Sequence, residues 1–138
     1  MPARRDYILR MIEQMGAVFA RLRQLIVGGE RAEEEMRAAA QQASVNLDMA
    51  RALDADSLIA LLAPDAQADV TRVWVMAELL FLDGLRASEG GDEPGAREAW
   101  RKALRLYQSL DPAIIGGLPE ATGRIHELRA LLQEEWPG

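Results

Sequence analysis

The residues of this sequence that could do chemistry are few, and their spacing limits what they can do. The single histidine, His126, is followed by Glu127. A helical zinc-protease site needs a second histidine four residues on, so that both imidazoles share one face. Position 130 is Ala130, which excludes that chemistry. The chain has no cysteine, so disulfides, thiolate nucleophiles and Cys-ligated zinc are excluded together. Glu33-Glu34-Glu35 and Glu134-Glu135 are acidic runs. A hard cation needs oxygens that converge on one point. Consecutive helical residues diverge, so these runs read as solvated helix ends. No catalytic residue, metal ligand or cofactor site is expected.

Glu78 and Asp83 are the more informative pair, because both lie in the most apolar stretch of the chain. Two carboxylates buried in one cleft can divide the roles of acid and base. Five residues apart on a helix, they do not face one another. The expectation is instead a structural ion pair between Glu78 and an arginine.

The stretch that carries them reads as a helix from about Ala68 to Ser88. One stripe is Val70, Val73, Trp74, Ala77, Leu80, Phe81, Gly84 and Leu85, and Val75, Met76, Leu79 and Leu82 add apolar surface on other sides. A helix apolar nearly all round is central or has a second partner. Gly90-Gly91-Asp92 ends it, and Pro94 suits the first turn of the next helix. That helix runs to Leu110 with the stripe Ala96, Ala99, Trp100, Ala103, Leu104 and Tyr107. Near the start, Ile8, Met11, Ile12, Met15, Val18, Phe19, Leu22, Leu25 and Ile26 recur at three and four. They predict a first helix from Asp6 to Val27, with Asp6 as its N-cap and Gly28-Gly29 as its stop. A second helix from about Glu30 to Ala43 has a thin stripe of Ala32, Met36, Ala39 and Ala43, and Ser44-Val45-Asn46 breaks it.

No stretch alternates apolar and polar residues for long, so strands are not expected. The interruptions are short, as between packed antiparallel helices. The expected fold is all-α, a single domain of about six helices in antiparallel hairpins. Its parts are a first hairpin over 6–43, a short helix over 56–63, a second hairpin over 68–110 and a C-terminal helix over 119–136.

Composition narrows the partners. The formal net charge is −6, and phosphate binding needs clustered excess base, so nucleic acid is not expected. Fifteen of the sixteen basic residues are arginine, which fits the coding bias of a GC-rich genome. Arg4 and Arg5 precede an apolar segment, but Arg10, Glu13, Arg21 and Arg23 interrupt it, so no targeting peptide is expected. No window approaches the roughly 20 apolar residues of a membrane span. The first helix mixes acid and base on its outer side, unlike a helix that lies on a membrane. A cytoplasmic protein without stable membrane insertion is expected.

The two Gly-Gly turns are followed by similar patterns. Gly28-Gly29-Glu30 leads to Ala32, Met36 and Ala39, and Gly90-Gly91-Asp92 leads to Ala96, Trp100 and Ala103. The second copy, with Gly84, resembles one tetratricopeptide repeat (TPR), in which small residues let paired helices press together. Leu80, Asp83 and Ala87 depart from that motif, where Trp, Leu and Tyr are usual. The resemblance implies hairpins in right-handed TPR-like stacking.

The chain as a whole resembles an uncharacterised bacterial family of unknown function. The resemblance rests on the opening Asp6-Tyr7-Ile8-Leu9-Arg10-Met11-Ile12-Glu13-Gln14, on Leu58 to Leu62, on Ala77 to Leu80 and on the TPR-like hairpin. It implies a fold and no activity. Arg10 and Glu78 both sit in these segments, so Arg10 is the expected partner of Glu78.

These readings converge on a non-enzymatic protein-interaction module. Asp6, Tyr7, Arg10, Glu13 and Gln14 form its expected contact edge, Tyr and Arg being enriched at interfaces. The surplus apolar surface of the fourth helix predicts a homodimer. The competing reading is a small-molecule or enzymatic domain with an inter-helix pocket lined by Trp74, Trp100 and methionines.

Overall fold

Thirteen residues of the helix Val70–Glu89 are buried, and the rest of the chain is arranged to bury them. The computed structural model describes residues 2–29, 31–62, 70–110 and 119–134, with side chains for 10–29, 31–62, 70–110 and 121–133. Seven helices and no strand occur among the described residues: α1 Pro2–Val27, α2 Glu33–Gln42, α3 Leu47–Ala52, α4 Ala55–Leu62, α5 Val70–Glu89, α6 Glu93–Gln108 and α7 Pro119–Glu134. The fold is all-α, as the periodicity predicts.

α5 packs most extensively on α6, then on α1, and also touches α2, α3 and α4. From Val73 to Leu82 every residue of α5 is buried. This corrects one expectation. The apolar surface of α5 beyond its α6 face is covered inside the monomer, so it calls for no second copy of the chain.

α1 buries Ile12, Met15, Phe19, Leu22 and Ile26, which are members of the expected stripe. It starts at Pro2 rather than Asp6, because proline fits a first helical turn. Asp6 therefore lies inside the helix and is not its N-cap. Gly29 ends α1 with φ of 76°, and Gly91 repeats this after α5 with φ of 84°. Ala32, Met36 and Ala39 after the first turn are as buried as Ala96, Trp100 and Ala103 after the second. The helix pairs nevertheless differ. α6 begins directly at the turn, where Asp92 accepts from the Gly95 amide at 3.0 Å, and pairs closely with α5. α2 begins later, and α1 packs chiefly on α5.

The break at 44–46 holds, with Ser44 at φ of 58°. It is followed by α3, a helix absent from the sequence reading. Asn46 caps α3 by accepting from the Met49 amide at 3.1 Å. Asp54 caps α4 by accepting from the Ser57 amide at 2.7 Å. Lys102 of α6 donates to the Ala50 and Arg51 carbonyls at 3.2 and 3.0 Å. A cation is well placed at these carbonyls, the negative end of α3.

A close contact between α5 and α6 is made at Gly84 of α5. The Trp100 indole lies on its backbone and donates to the Phe81 carbonyl at 3.2 Å. A Cβ at position 84 would collide with that indole, whereas one at Gly16 of α1 meets nothing. Gly84→Ala is therefore expected to lower unfolding stability by about 2 kcal/mol through overpacking. Gly16→Ala is expected to raise it by roughly 0.5–1 kcal/mol. Urea denaturation of both variants beside the parent chain checks the contrast.

Candidate functional site

Two carboxylates on the enclosed α5 must find cations, and they find them on opposite sides. Glu78 is 3 % exposed. Its partner is Arg124 of α7, whose Nε donates to Oε2 at 2.8 Å and whose Nη2 donates to Oε1 at 3.3 Å. Arg124 also donates to Glu127 at 2.6 Å, and Glu127 accepts in turn from Arg23 of α1 at 2.6 Å. Both arginines lie over the Phe81 ring, with the guanidinium carbon of Arg124 4.0 Å from its centroid and that of Arg23 5.4 Å away. A cation over an aromatic face gains from the ring quadrupole.

Burial pushes the Glu78 carboxyl above the usual carboxylate range, and the charge and hydrogen bonds of Arg124 oppose that shift. Burial, the largest single influence, works against the Arg124 charge, but Glu78 with Tyr107 and Glu127 together outweigh it and raise the guanidinium above its ordinary value. Tyr107 of α6 is fully buried beside them. Burial first, then the Glu78 charge, push its phenol well above the ordinary value. Its hydroxyl interacts with the Glu78 carboxylate and the Arg124 guanidinium, short of a well-aligned hydrogen bond to either.

The expected partner of Glu78 is corrected by this geometry. Arg10 is exposed on α1, on the face opposite the buried stripe, while α7 carries Arg124 against α5. The sequence held a usable signal. Arg124 falls three residues after Ala121 and four before Leu128, both fully buried, so it is in phase with the apolar stripe of α7.

Asp83 belongs to a second cluster. The Arg51 guanidinium of α3 forks both Asp83, at 2.8 and 2.9 Å, and Glu33 of α2, at 2.8 Å twice. Arg86 donates to Glu33 at 2.7 Å, and Arg37 pairs with it at 2.9 Å. Glu33 is therefore not a solvated helix start: three arginines converge on it. The hydrogen bond from Arg51, more than any other contact, holds its pKa at about 2. Glu78 and Asp83 share no cleft, so they form no acid–base pair.

The remaining candidates are placed as follows. The side chains of Asp6 and Tyr7 lie outside the described residues. Arg10, Glu13 and Gln14 are all exposed along α1. His126 is exposed on α7. Trp74 packs edge-on to Phe19, with ring centroids 5.3 Å apart. Met15, Met36 and Met76 are buried core side chains, as are Trp74 and Trp100. Among the described residues no group of three or more acidic or imidazole side chains is placed to hold a metal ion, and no helix is long and apolar enough to cross a membrane. No family model, curated protein or solved structure matches the chain.

Two tests follow from the charge clusters. Arg124→Ala is expected to cost about 3 kcal/mol, since it strands a buried carboxylate. Arg10→Ala is expected to change stability by less than about 0.5 kcal/mol, and chemical denaturation compares the two. The second test is acid stability. The folded value of Glu33 near 2 lies below its ordinary 4.5, so the unfolded chain takes up this proton first as the pH falls. Its contribution is full above pH 4.5, declines below it and is gone near pH 2. Because the side chain is 34 % exposed, screening leaves roughly 1–2 kcal/mol of the effect. Melting curves of Glu33→Gln across that range are expected to be flatter by this amount.

Proposed function

We propose that the chain is a TPR-like, non-enzymatic protein-interaction module of a bacterial cytoplasm, akin to the uncharacterised family that its opening motif resembles. The observation that carries this reading is the Gly84–Trp100 contact between α5 and α6. It brings two helices into close contact through a glycine and an indole, which supports a hairpin of the Ala-aromatic-Ala, TPR-like kind. Supporting it, Glu78 and Asp83 are both consumed in ion pairs between helices, and Trp74 and Trp100 serve as core side chains.

The contact edge is the outer side of α1, with Arg10, Glu13 and Gln14 exposed and Asp6 and Tyr7 one turn earlier in sequence. We place a different protein ahead of a second copy as the partner, because the apolar surface that argued for a homodimer is internal. The test compares the parent chain with a variant carrying Arg10→Glu, Glu13→Arg and Gln14→Ala as baits in the native host. The expected outcome is a shared set of captured proteins in which at least one falls tenfold or more with the variant, while the melting temperature is unchanged. Identical capture by both baits would remove the α1 edge.

A further inference from the structure

We draw no further inference here: the strongest candidate, the Glu78–Tyr107–Arg124 side-chain cluster enclosed between α5, α6 and α7, belongs to the site already described and is filled by the chain's own groups.

Discussion

The constraint on which this fold depends is the complete enclosure of α5. A helix with apolar residues on one stripe is served by one or two neighbours. α5 has no solvent side between Val73 and Leu82, so α1 and α6 must flank it and α2, α3 and α4 must close what remains. Its backbone groups are satisfied within the helix, which leaves Glu78 inside that stretch and Asp83 just beyond it as the carboxylates that the surrounding helices must answer. Each answer comes from an element that packs at the periphery. Arg124 arrives on α7, and Arg51 arrives on α3.

Ion pairs of this kind add little net stability, because desolvating both charges offsets most of their attraction. Their contribution is positional. Arg51 engages two carboxylates from different helices through all three guanidinium nitrogens, which fixes α3 against α2 and α5 at one register. A lysine has no planar fork and could not hold both. The arginine-rich composition suits a genome-wide bias, but at positions 51 and 124 the fold uses the geometry of the group. Lys102, the single lysine, sits where a point charge suffices, against the carbonyl end of α3.

What was legible in the sequence follows the range of the physics involved. α5, α6 and their turn were readable because Gly84, Gly91, Ala96, Trp100 and Ala103 form a local pattern whose spacing is the contact. α3 was missed because six residues are too few to display a helical period, and Asn46, its cap, was read as part of a break. Arg10 is the partner that motif position suggests for Glu78, and motif position says nothing about which faces meet. The pairing with Arg124 spans 46 residues and depends on where α7 packs. Glu33 was read by its neighbours Glu34 and Glu35 as part of a charge run, although it adjoins Ala32 on the buried edge of α2.

The same enclosure bears on what the acidic groups can do. A general acid or base must reach a proton on its substrate within hydrogen-bond distance. Glu78 is almost wholly withdrawn from solvent, and its two oxygens are taken by Arg124. A raised carboxyl pKa in a cleft often marks catalysis, but structural ion-pair networks perturb pKa values too. Here the perturbation comes first from burial beneath α7, not from an open cleft. The chemistry left to Glu78 is to hold an arginine, and α7 supplies the one it holds.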